Sequence, residues 1–280
     1  MKSWKEYLLL LFYFFNLSTL YPEISDFNKS SLSFNNNPND TVCAKNNLEF
    51  LYQLNSYEEA VSKAQQSVDS AYLSNDSTEI ANRLLILGIM QENKGDNDEA
   101  FETFLKAYTI FKTTNNQIGS ALSMDHLGTI FRYHGLKEKS LEYHTKAHEI
   151  LQQGDHSFGF ISVLNNLGII NRQLGNDDEA LKYHRQAFDL AKKHNSSYLS
   201  SIYNSLGTYY WYQGLNDSAL IYYKSALDIT PENLPLKERH CAALNNIGNV
   251  YRDMHQYDSA LHYYNLSIKE SQIYQTKNLE

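Results

Sequence analysis

The sequence predicts an all-α chain built as a stack of helix pairs, and three observations predict it. Glycines recur at Gly88, Gly128, Gly168, Gly207 and Gly248, in steps of 40, 40, 39 and 41 residues, a period that marks a solenoid. Twelve residues after each stands a small residue (Ala100, Ser140, Ala180, Ala219, Ala260), and seven later another (Ala107, Ala147, Ala187, Ala226, Ser267), as suits two helices pressed together at small side chains. Ahead of the glycines, apolar residues fall at helical spacing: Met124 and Leu127, Leu164 and Leu167, Tyr203 and Leu206, Leu244 and Ile247. Each set puts its glycine on one helical face and not on a strand.

Taken in order, the chain opens with Lys2 and Lys5 ahead of an apolar run from Tyr7 to Phe15, the layout of a secretory leader. We expect a signal peptide or N-terminal membrane anchor over 1–21, and with it export or anchoring. The run is short for a membrane span, and no A-x-A-like cleavage site follows it. The alternative is an amphipathic N-terminus of a cytoplasmic protein. Residues 22–40, rich in Asn, Ser and Pro and without a period, read as a flexible linker.

The array is expected over 41–280, in units near 41–80, 81–120, 121–160, 161–199, 200–240 and 241–280. In the first, Leu48 replaces the glycine while "YEEAVSKAQQS" at 57–67 keeps the second helix, so this unit reads as an atypical cap. Within later units Gly95, Gly135, Gly175 and Gly214 are placed to end the first helix in a left-handed conformation. Asp98, Glu138, Asp178, Asp217 and Asp258 then fall in the first turn of the second helix, where the helix dipole favours negative charge. No amphipathic capping helix follows the sixth unit. We therefore expect a partner, a dimer through this uncapped repeat, or a chain cut from something longer.

Composition narrows the function. The net charge of −8 provides no basic field for a phosphate backbone, so nucleic acid is not an expected partner. Cys43 and Cys241 stand too far apart to suggest a zinc site or a disulfide framework, and Cys43 lies too far past the apolar run for a lipid anchor.

The set of Leu-Gly, Gly, Ala, aromatic and Ala positions, with Pro231 near a unit end, resembles the tetratricopeptide repeat. Its longer period, the "NNLG" helix and the "YH" of "ALKYHRQA" and "SLEYHTKA" are similar to the forty-residue subclass of kinesin light chains, spindle-orientation adaptors and bacterial sensor-kinase arrays. The resemblance implies a right-handed superhelical solenoid of antiparallel helix pairs, about six units, that recognises a protein or peptide and makes or breaks no bond. It also implies a rival: the input portion of a signalling receptor or regulator, such as a histidine kinase, without its output domain.

Motifs for chemistry are missing. His144 and His148 share a helical face at i, i+4, but no H-E-x-x-H surrounds them. His144 and His184 occupy a repeat position held elsewhere by Phe104, Tyr223 and Tyr264, which reads as a packed ring. "QGDHS" at 153–157 reads as a polar turn between units. With no P-loop, G-x-S-x-G or G-x-G-x-x-G, neither an enzyme nor a cofactor or metal is expected.

Counting from the residue seven before each glycine, positions five, nine and twelve share one helical face. Position five reads Leu85, Asp125, Asn165, Asn204, Asn245; position nine Ile89, Thr129, Ile169, Thr208, Asn249; position twelve Glu92, Arg132, Arg172, Trp211, Arg252. By the resemblance this face lines the concave surface. Asn can donate to and accept from an extended backbone, Arg forks onto carboxylates, and Trp anchors interfaces. The candidate site is thus Asp125, Arg132, Asn165, Arg172, Asn204, Trp211, Asn245, Asn249 and Arg252, suited to a segment of acidic character. A second expectation is structural: the Asn residues bond between adjacent helices, and the Arg residues pair with Glu92, Asp125 or Asp253. "TYYWYQG" at 208–214 is the densest of the tyrosine clusters, read mainly as inter-helix packing.

Overall fold

A computed structural model of the chain describes residues 56–154, 157–194, 196–229 and 234–276. The leader or anchor, the linker, Leu48, Cys43 and Pro231 lie outside the described residues. Eleven α-helices and no strand make up the described part: α1 Tyr57–Ser74, α2 Ser77–Lys94, α3 Asn97–Thr113, α4 Gln117–Tyr133, α5 Lys137–Leu151, α6 Ser157–Leu174, α7 Asp177–Lys193, α8 Leu199–Tyr212, α9 Asn216–Leu227, α10 Leu234–Asp253 and α11 Tyr257–Thr276. The densest packing is within the pairs α2/α3, α4/α5, α6/α7, α8/α9 and α10/α11, and each pair then stacks on the next. Helix α1 carries the "YEEAVSKAQQS" segment as the second helix of the first unit.

Local chemistry sets the ends. The Asp76 carboxylate accepts from the Thr78 and Glu79 amides at the start of α2, and the Asn116 side chain accepts from the Gly119 amide at 2.8 Å at the start of α4. These caps satisfy amides that a helix leaves orphaned. They also start those first helices several residues earlier than counting back from the glycine suggests. The turns inside the units are left-handed at Gly95, Gly135, Gly175 and Gly214, and His255, at φ 60°, takes this conformation in the last unit, where no glycine stands.

The other repeated glycines have a packing role. A methyl group at Gly88, Gly128, Gly168, Gly207 or Gly248 would stand 2.5 to 2.8 Å from a ring of the second helix: Phe104, His144, His184, Tyr223 and Tyr264 in turn. Each pair is therefore one ring laid on a bare stretch of helix backbone. Ala100, Ser140, Ala180 and Ala219 are fully buried, as are Ala107, Ala147, Ala187 and Ala226, so the second helix can approach closely. Around these contacts Met90, Phe111, Phe131, Leu151, Ile170 and Val250 are buried, forming a core that runs the length of the stack. His144 and His184 are thus packed rings, as their repeat position predicts.

Candidate functional site

The three co-facial positions of the first helices have different fates. At position five, Asp125 is 2% exposed. Its carboxylate accepts from His144 Nδ1 at 2.6 Å, Ser162 Oγ at 2.9 Å and Asn166 Nδ2 at 3.1 and 3.2 Å. Ser162 and Asn166 belong to α6 of the next unit, so Asp125 joins two units. Asn204 does the same, its Nδ2 donating to the Arg239 carbonyl of α10 at 3.2 Å. Asn165 is buried, and its Oδ1 has no hydrogen-bond partner among the described residues. Asn245 alone of the row is exposed. For Asn204, then, the observed contact is that of the structural expectation, bonding between adjacent helices, whereas Asp125, expected there as a partner of Arg, bonds instead to His144, Ser162 and Asn166.

Position nine supports the rings. Thr208 accepts from the Tyr223 hydroxyl at 3.0 Å, and Asn249 Oδ1 accepts from the Tyr264 hydroxyl at 2.8 Å.

Position twelve carries charged and aromatic side chains, half-buried except for exposed Arg252. Glu92 pairs with His126 of the next unit at 2.7 Å. The Arg132 guanidinium lies 4.5 Å from the centre of the Tyr133 ring, and Arg172 lies 4.3 Å from that of Tyr212 in the following unit. Trp211 Nε1 donates to Asp253 Oδ2 at 2.9 Å, while Arg252 grips Asp253 Oδ1 with Nε and Nη2 at 3.1 and 2.9 Å. Tyr212 is 65% exposed. It is an exception to the packing role read for the tyrosine cluster, because its outer face meets solvent and its inner face meets Arg172.

Burial tunes the titrating groups. Burial alone would raise the Asp125 carboxyl, but the His144 bond and charge, with His126 and Asn166, hold it below the usual range. His126 is pushed down by burial yet ends above its ordinary value because Glu92 faces it. His184, buried and with neither ring nitrogen bonded, is lowered to about 3 by burial, reinforced by the Arg172 charge.

Asp125, His144 and Ser162 are the residue types of a nucleophilic triad in a different wiring. The Ser162 hydroxyl donates to the carboxylate and not to His144 Nε2, which lies against Gly128 and has no hydrogen-bond partner among the described residues. Among the described residues no three His, Cys, Asp or Glu side chains are grouped to hold a metal. His148, one turn after His144 in α5, lies against Phe160 and Tyr183.

Sequence reasoning missed Ser162, Asn166, His126 and Tyr212. The first two sit one unit away from Asp125, and nothing in a single repeat shows what the next lays on it. Tyr212, next to Trp211, was visible only as one aromatic among many.

The described residues thus form an α-solenoid with an apolar core, buried polar bridges between units at Asp125 and Asn204, and a partly exposed row of Arg and Trp beside tyrosine rings. The tetratricopeptide repeat model matches residues 77–153, 159–232 and 198–272, and the chain belongs to the tetratricopeptide repeat family. A comparison with curated proteins finds no match. Among solved structures, the chain is similar to the Rap conjugation gene regulator of plasmid pLS20 in complex with the Phr* peptide, at 22% identity and a TM-score of 0.61, over 74% of this chain and 59% of that one. A Rap protein complexed with Competence and Sporulation Factor gives a TM-score of 0.66 at 13% identity, over 90% of this chain and 69% of that one. The nearly identical repeats of a Podosopora anserina kinesin light chain give 0.50 at 15%, over 69% and 95%. These likenesses are of fold.

Proposed function

We propose that this protein is a non-enzymatic scaffold that holds a segment of a protein or peptide partner along the concave side of its array. The observation that carries the reading is the position-twelve row. Arg132, Arg172, Trp211 and Arg252 recur one unit apart; the first three are half-buried and Arg252 is exposed, and Arg132 and Arg172 lie against the exposed rings of Tyr133 and Tyr212. Arg, Trp and Tyr are the residues that most often dominate binding energy at interfaces. A cation lying on a tyrosine face remains available to a carboxylate while its stem stays packed, so the segment is acidic in character. Asn245 and Asn249 extend the same side at the last unit. That a Rap protein of this fold was crystallised with a peptide is in keeping with the reading. Export or anchoring through the N-terminal segment is the second part of the proposal and rests on the sequence of 1–21 alone.

The test is affinity capture with the full chain, comparing wild type with the combined Arg132→Ala, Arg172→Ala, Arg252→Ala variant at matched helical circular dichroism. Partners retained by wild type and lost by the variant support the row as the site. An unchanged set of partners would sink it.

A further inference from the structure

One contact departs from the rule that a repeat touches only its neighbours. The Tyr57 hydroxyl, at the start of α1 in the first unit, donates to Glu238 Oε2 at 3.0 Å, at the start of α10 in the sixth, 181 residues away. Tyr57 is only 9% exposed, so the ring as well as the hydroxyl is engaged.

We infer that the Tyr57–Glu238 hydrogen bond is a clasp that joins the first unit of the array to the sixth and holds the superhelix in a closed winding. In an open solenoid the end units fray independently and the winding flexes at every interface. A bond between the ends makes a change of angle at any interface work against all the others. The phenol donates to a charged acceptor, the stronger class of hydrogen bond. The acceptor residue is solvent-exposed, so the clasp can open without stranding a buried charge. Opening is then the motion that widens the concave side, and the clasp sets how often it occurs.

The experiment needs no ligand. Spin labels are placed on the exposed positions Lys63→Cys in α1 and Lys269→Cys in α11 of the full chain, with Cys43 and Cys241 replaced by Ser, and the distance distribution is measured by double electron–electron resonance. Wild type is expected to give one narrow distance. Tyr57→Phe, which removes only the hydroxyl, should raise the population of longer distances by on the order of ten-fold. Glu238→Gln, whose amide oxygen can still accept, should stay close to wild type. Circular dichroism confirms that all three are equally helical. A Tyr57→Phe distribution that overlays wild type, or a wild-type distribution already broad, overturns the clasp. Neither result bears on the Arg row, which the capture experiment tests separately.

Discussion

The third and fourth units place a histidine at the same repeat position and give it opposite surroundings. His144 lies on Gly128 and is bonded to a buried carboxylate, Asp125, itself held by Ser162 and Asn166 of the next unit. His184 lies on Gly168 in the same way, but the corresponding residue of its unit is Asn165, and neither ring nitrogen has a hydrogen bond. The shape is kept while the electrostatics are exchanged. Ring size at this position is a requirement of the repeat. Charge at position five is an attribute of one interface, and it ties the third unit to the fourth.

Breaking the Asp125 hub should have the largest effect. Asp125→Ala leaves His144, the Ser162 hydroxyl and the Asn166 amide without their shared acceptor, and removing one partner of a buried pair costs about 3–5 kcal/mol. Urea unfolding followed by circular dichroism reads this directly. A loss under about 1 kcal/mol would mean that the hub is not what joins these units.

Next comes acid. His184 takes its proton near pH 6.5 when unfolded but near pH 3 in the fold, so between those values the unfolded chain binds the extra proton. Stability is therefore complete above pH 6.5 and falls below it by about 1.4 kcal/mol per pH unit, about 3 kcal/mol by pH 4. His134 and His148, also lowered by burial, add smaller effects of the same sign. Asp125 acts only at the acid end of this window: its lowered carboxyl gives its full stabilising effect above about 3.8 and loses it as the pH falls from there through its lowered value. His126, raised by Glu92, acts with the opposite sign, stabilising below pH 6.5 and fading as the pH rises through its raised value. His184→Phe, which copies Phe104 of the second unit, should flatten most of the acid limb. A limb as steep as wild type's would assign it to other groups.

Gly168→Ala ranks third. The new methyl would stand 2.5 Å from the His184 ring, so the ring or the helix must shift, at a cost of about 1–3 kcal/mol. Thermal unfolding checks it. A variant as stable as wild type would show that the interface between α6 and α7 is looser than its close approach implies.

Much of this was legible before any coordinates. The period, the two classes of glycine and the small residues are demands that every helix pair makes on its own sequence, so they recur and can be counted. The interchange of Phe104, His144, His184, Tyr223 and Tyr264 revealed a packed ring for the same reason. The contacts of Asp125 could not be read this way, because Ser162 and Asn166 are supplied by a neighbouring unit, and their repeat positions do not show what they bond to across the interface. The row of Arg and Trp was legible as a row, and so was the pairing of an Arg with Asp253, seen at Arg252, but the stacking of Arg172 on Tyr212 and the Trp211–Asp253 bond depend on side-chain reach between units. Tyr57 and Glu238 were beyond sequence reasoning, since a bond over 181 residues is set by the winding of the whole stack.

The smallest expected change in stability comes from the substitution that sharpens the comparison most. Asn165→Asp gives the fourth unit the residue that the third has in Asp125. The new carboxylate is costly to bury, but its attraction for a protonated His184 offsets that cost, so stability at pH 7 should move by no more than about 1 kcal/mol. The titration should move much further. With a carboxylate at hand the charged imidazole is favoured, and the His184 value climbs from about 3 toward or past its ordinary 6.5, as nuclear magnetic resonance of the ring protons would show. The acid limb should shrink with it, because the fold then accepts the proton that it now refuses. If His184 stays near 3, equal positions in the repeat do not give equal geometry. The bond in the third unit would then be owed to how Ser162 and Asn166 aim Asp125, a setting that one substitution in the fourth cannot reproduce.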